Sequence, residues 1–89
     1  MESGEHRVKR LAMRSWRRGT KEMDLVLGPY ADARLAAMGE AELLLFDGLL
    51  EENDPDLALW IIGGGVPPGR FAALIAEISA FARERLRNH

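Results

Sequence analysis

Chemistry on a substrate needs a nucleophile, a base or a metal ligand held close to others of its kind, and few side chains of this sequence qualify. His6 and His89 stand at opposite ends of the chain, whereas a zinc or iron site needs three or four converging ligands. The sequence has no cysteine, which excludes thiolate metal sites, disulfides and cysteine nucleophiles. Ser3, Ser15 and Ser79 lie in no nucleophile elbow, and no histidine lies in the chain interior to activate them. Glu51-Glu52, and Asp54 with Asp56, could exchange protons with a substrate. Consecutive acids at a helix end nevertheless read first as a solvated cap.

Glycine-rich segments give no stronger lead. Gly64 and Gly69-Arg70 have the spacing of a phosphate-binding loop, but Arg70-Phe71 replaces the required Lys-Ser/Thr and no strand precedes it. Gly63-Gly64-Gly65 does not extend to a dinucleotide fingerprint, because position 68 is proline and no βαβ unit surrounds it. The expectation is a protein that is not an enzyme, with no metal and no stably bound cofactor.

The segment Arg18-Gly19-Thr20-Lys21-Glu22-Met23-Asp24 differs, because it gathers an arginine, a glycine and two carboxylates in one helix-to-helix corner. Glycine lets the backbone turn with positive φ and leaves no side chain in the way of a partner. Glu22 and Asp24 fall in a first helical turn, where negative charge is favoured. Two readings stay open on the residues alone. One is a capped corner closed by an Arg18–Glu22 ion pair, which contributes about 0–1 kcal/mol if exposed. The other is a contact point for another protein.

The elements around that corner are helical. Val8, Leu11, Ala12, Ser15 and Trp16 share one face, with Arg7, Lys9, Arg10, Arg14 and Arg17 on the other, which predicts an amphipathic helix over about 5–17. Thr20 caps a second helix carrying Met23, Val26, Leu27, Tyr30 and Arg34 to about Met38, bent near Gly28-Pro29. A third runs from Glu40 to Glu51, with Leu43, Phe46, Leu49 and Leu50 inward. Asp54-Pro55 starts a short fourth, the aspartate accepting backbone N–H bonds and the proline pre-set for the first helical position, through Leu57, Trp60 and Ile61. Gly63 to Gly65 stop it. After Val66-Pro67-Pro68 a fifth carries Phe71, Leu74, Ile75, Ile78 and Ala82 and ends in Arg83, Arg85 and Arg87. No strand period and no repeat appears. The expected fold is all-α, a compact up-and-down five-helix bundle in one domain over 1–89, with a structured core over about 5–87.

A composition of 47% hydrophobic and 29% charged residues suits a folded domain. No apolar run approaches a membrane span, and the N-terminus lacks the apolar core of an export signal. The net charge is −2, but it is unevenly spread. Residues 1–21 hold seven basic side chains against two acids, and residues 22–56 hold ten acids against Arg34 alone. The basic first helix invites a nucleic-acid reading through Arg10 and Arg14. A sequence pI of about 5.6 and a single aromatic in the basic segment weigh against it.

Trp16-Arg17-Arg18-Gly19-Thr20-Lys21-Glu22-Met23-Asp24-Leu25, followed by Asp54-Pro55-Asp56-Leu57 and Trp60, resembles the FAD assembly factors of succinate dehydrogenase, a family built around an Arg-Gly-x-x-Glu motif. The similarity runs from about Arg7 to Arg85. The resemblance implies a chaperone-like protein of the bacterial cytoplasm, or of the mitochondrial matrix if eukaryotic. It would bind the flavoprotein subunit of succinate dehydrogenase, and often of fumarate reductase, and promote covalent attachment of FAD to a histidine of that subunit. FAD then belongs to the partner, and no nucleic acid or membrane is engaged. The implied partner-binding residues are Arg17, Arg18, Gly19, Glu22 and Asp24, with Arg18 and Glu22 hydrogen-bonding across the interface. Trp16, Asp54, Pro55 and Trp60 are implied to be structural, with Trp60 packing inward. The Gly63 to Pro68 loop departs from the family pattern. The free protein is expected to be a monomer. A generic helical interaction or toxin-neutralising module remains the alternative beside nucleic-acid binding.

Overall fold

The computed structural model describes residues 2–87, so His89 lies outside the described residues. These residues form five α-helices and no strand: α1 (Gly4–Trp16), α2 (Lys21–Arg34), α3 (Glu40–Leu50), α4 (Asp54–Ile61) and α5 (Ala72–Arg87). The all-α bundle expected from periodicity is the fold observed. None of the helices is long and apolar enough to cross a membrane.

Local chemistry sets the helix ends. Ser3 Oγ accepts from the His6 N–H at 3.1 Å to open α1, and Thr20 Oγ1 accepts from the Met23 N–H at 3.4 Å to open α2. Gly39 precedes α3 and donates its N–H to Glu42 Oε1 at 3.2 Å, which is half of a capping box, since glycine has no side chain to return the bond. α2 does not continue to Met38 as its apolar stripe suggested. It ends at Arg34, and residues Leu35–Ala37 tighten into a 3₁₀ turn closed by Met38 N–H to the Leu35 carbonyl at 3.1 Å. A second 3₁₀ turn, Gly69–Phe71, leads into α5. Between α4 and that turn, Gly64 adopts φ 76°, a conformation that favours glycine, while the Gly63 and Gly65 N–H groups donate to the Ala58 and Leu59 carbonyls.

The apolar faces meet in one core. Leu11 comes from α1; Met23, Leu27, Tyr30 and Ala31 from α2; Leu43, Phe46, Leu49 and Leu50 from α3; Leu57 and Ile61 from α4; and Leu74, Ile75 and Ile78 from α5. Tyr30 stacks on Phe46 with centroids 5.9 Å apart and meets the edge of Phe81 at 5.6 Å. Burial raises the Tyr30 phenol well above its ordinary value, aided by its hydrogen bond to Glu77. Trp60 is half-buried against this core.

α1 packs on both α2 and α3, and two of its arginines meet acids of α3. Arg14 bonds Asp47 at 2.7 Å and Glu51 at 3.2 Å, both on α3. Arg10 bonds Glu2 at 2.8 Å and reaches Asp47 at 3.5 Å. The two arginines that would have gripped phosphates are therefore engaged with the chain's own acids. Exposed pairs of this kind contribute about 0–1 kcal/mol each.

At the end of α1, Trp16 leaves the core face. Its indole lies across Gly28 of α2, and its Nε1–H donates to Asp32 Oδ2 at 3.1 Å. A Cβ at Gly28 would fall 2.3 Å from Trp16 Cδ2. Alanine ordinarily strengthens a helix relative to glycine by about 0.5–1 kcal/mol. Here the sign reverses, and Gly28→Ala is expected to lower stability in urea denaturation by about 1–3 kcal/mol through overpacking. In a Trp60→Phe background the same change should red-shift Trp16 emission. A Gly28→Ala protein as stable as its parent would show that the indole does not rest on this glycine.

Candidate functional site

The corner between α1 and α2 is anchored from a distance. Arg17 and Arg18 lie between the helices, so the i, i+4 geometry that would bring Arg18 to Glu22 does not apply. The Arg18–Glu22 pair of the capped-corner reading is absent among the described residues. Arg18 crosses instead to the turn between α3 and α4. Its Nε donates to Asp54 Oδ1 at 2.8 Å, Nη1 to the Leu50 carbonyl at 2.6 Å and Nη2 to the Glu52 carbonyl at 2.6 Å. All three guanidinium nitrogens are thus engaged, with the side chain only 12% exposed. The Leu50 carbonyl is at the end of α3, where a cation also complements the helix dipole.

Asp54 completes the brace. Its Oδ2 accepts from the Thr20 N–H at 2.9 Å and from the Thr20 hydroxyl at 3.0 Å, and its side chain is 9% exposed. This corrects its expected role as the cap of α4. Asn53 takes that place, accepting from the Asp56 N–H at 2.9 Å, so Asp54 is the first helical residue and Pro55 the second. One carboxylate therefore joins both sides of the corner, Arg18 before Gly19 and Thr20 after it. Burial alone would raise the Asp54 carboxyl, but the bonds from the Arg18 and Thr20 side chains and the Thr20 N–H outweigh it and hold the group below its ordinary value.

Asp24 is likewise turned inward, accepting the Arg18 backbone N–H. Of the five residues expected to meet a partner, the structure therefore leaves Arg17, Gly19 and Glu22 exposed and holds Arg18 and Asp24 by internal bonds. Lys21 stands exposed among them. Gly19 does not use positive φ, correcting the conformational role expected of it. A Cβ there would lie 3.5 Å from Asp54 Oδ2, an ordinary contact. The glycine matters as an open surface rather than as a hinge.

An FAD cradle would need a glycine turn leading from a strand into a helix. The three consecutive glycines instead close α4, and the N–H groups of Gly63 and Gly65 are taken by its carbonyls. Among the described residues no strand leads into a glycine turn of that kind.

The sequence matches, over residues 9–82, the family described as flavinator of succinate dehydrogenase. The chain belongs to this family. Proteins similar to this chain include the FAD assembly factor SdhE of Legionella pneumophila, 32% identical over 74 residues, which cover 83% of this chain and 94% of that protein. The FAD assembly factor SdhE of Aliivibrio fischeri is 45% identical over 49 residues, 55% of this chain and 57% of its own length. The mitochondrial succinate dehydrogenase assembly factor 2 of Mycosarcoma maydis is 38% identical over 71 residues, 80% of this chain but 30% of that longer protein. The matched span contains the whole corner and both halves of its brace.

Two consequences of the brace are measurable. Arg18→Ala leaves the Asp54 carboxylate buried without its cation, and stability is expected to fall by roughly 3 kcal/mol in chemical denaturation. A loss under about 0.5 kcal/mol, the scale of an ordinary surface change, would contradict a buried brace. The second concerns pH. Because the Asp54 carboxyl is depressed in the folded state, its contribution is complete above the unfolded value near about 3.9 and is lost as pH falls through the lower folded value. Asp54→Asn should therefore start less stable at neutral pH and lose less stability on acidification than the parent. Parallel stability curves for the two proteins would refute this.

Proposed function

We propose that this chain is an assembly factor that binds the flavoprotein subunit of succinate dehydrogenase, with the fumarate reductase flavoprotein as a further client, and promotes covalent attachment of FAD to a histidine of that subunit. The observation that supports this reading is the exposed Gly19-Thr20-Lys21-Glu22 edge standing on an internally satisfied brace, in a chain whose residues 9–82 match the flavinator family.

In this reading the flavin and the histidine both stay with the partner, and the chain works as a docking protein in the bacterial cytoplasm or the mitochondrial matrix. Covalent attachment requires a histidine nitrogen to approach a flavin methyl carbon in near-attack geometry. Holding reacting groups in place supplies about 7–11 kcal/mol of barrier in favourable cases. A helper need contribute only part of that by ordering the client's site. Glu22 offers an exposed carboxylate for a charge-assisted hydrogen bond, and Arg17 offers an exposed guanidinium. Gly19 lets a partner backbone approach closely. Arg18 and Asp24 act as positioning residues that hold this edge in shape.

Co-expression with the flavoprotein subunit, read by flavin fluorescence on a denaturing gel, tests the proposal. Wild-type chain should raise the covalent flavin signal. Glu22→Ala and Gly19→Arg should fold normally and reduce that signal by about tenfold, the scale of one lost charge-assisted contact. Gly19→Ala should keep the fold. Normal flavinylation by folded Glu22→Ala and Gly19→Arg proteins would refute the docking role of the corner.

A further inference from the structure

The corner does not end at Arg17. His6, Lys9, Arg10, Met13, Arg14 and Arg17 line a shallow groove along the outer side of α1. Their spacing keeps them together along one side of a helix, away from buried Leu11 and Ser15. Arg10 and Arg14 form one edge of this stripe and lean toward Asp47 of α3. Lys9 and Arg17 are exposed and enter no ion pair among the described residues. Between them stands Met13, 53% exposed. A methionine in that position is an adaptable apolar contact, and it is flanked here by uncommitted positive charge.

We infer that this stripe is a second docking surface, continuous with the corner, that takes an acidic segment of the client flavoprotein: carboxylates over Lys9 and Arg17, and an apolar side chain on Met13. The inference rests on the assembly-factor reading above. Charge complementarity identifies the occupant as protein rather than nucleic acid for two reasons. The nearby aromatic, Trp16, is 39% exposed but lies on the α2 side, against Gly28 with its N–H on Asp32, so no Phe, Tyr or Trp lines the groove for bases to stack on. In addition, Asp47 and Glu51 border the stripe, where a continuous phosphate backbone would meet carboxylates. A protein segment can place its acids singly and avoid them.

The test measures association of the full chain with the flavoprotein subunit. The double variant Lys9→Glu/Arg17→Glu is compared with Arg83→Glu, an exposed charge reversal on α5, after circular dichroism has confirmed that both fold. The association rate of the wild type is expected to fall steeply between about 0.05 and 0.3 M salt. The double variant should bind at least about tenfold more weakly, with a flattened salt dependence, while Arg83→Glu stays within about twofold of wild type. Met13→Ser, which removes the apolar contact and leaves the charge unchanged, should weaken binding while keeping the salt slope of the wild type. Unchanged binding by the double variant while the wild type binds overturns the stripe and leaves the assembly-factor reading standing. No binding by wild type overturns both. Tight binding of a single-stranded oligonucleotide, lost in the double variant, would assign the stripe to nucleic acid and overturn the inference.

Discussion

A guanidinium withdrawn from water must find new partners, and Arg18 engages all three of its nitrogens with one carboxylate and two carbonyls, drawn from the end of α3, the turn after it and the start of α4. The rest of the corner follows from that requirement. Asp54, drawn in to meet the arginine, has a second oxygen left over, and Thr20 fills it with both its N–H and its hydroxyl. Thr20 then keeps a lone pair for the first turn of α2. Replacing a buried ion pair by apolar residues of similar size is often neutral or stabilising, so stability alone does not account for the pair. What it adds is direction: Arg18 is pulled inward, Thr20 is pinned by its N–H and hydroxyl, and the short edge around Gly19 is turned outward.

Much of this architecture was legible in the sequence. Spacing of apolar residues located all five helices, and Thr20 and the Gly63 to Gly65 stop marked ends that the structure keeps. The failures share one cause. Asn53 and Asp54 are both competent caps, and only the demand of an arginine far away in sequence decides that Asn53 caps while Asp54 braces. The nearby spacing of Arg18 and Glu22 suggested a local pair, but residues 17–20 are not helical, so local spacing carries no geometry there. The α2 stripe continued past Arg34 in composition, yet the chain tightens at Leu35, because packing of that buried side chain rather than helix propensity sets the path. The resemblance named Arg18 and Asp54 separately, and nothing in it said that the two side chains belong to each other.

The uneven charge along the chain has a similar history. Read linearly, a positive start and a negative middle suggest two surfaces of opposite sign. Folding lays α1 against α3, and the acids of one answer part of the cationic face of the other. What remains along α1 is narrower than the sequence implied: among the described residues, Lys9 and Arg17 flank Met13 without an ion pair and lead to the corner.

The contacts of Arg18 join residues 32, 34 and 36 positions apart along the chain. A polypeptide that has not yet emerged as far as Asp54 therefore has the motif in its sequence without the shape. During synthesis the corner can be displayed only after three helices and the turn into the fourth have come together. Its appearance on the surface thus reports that these elements have met, and a chain made only as far as α3 carries no such edge.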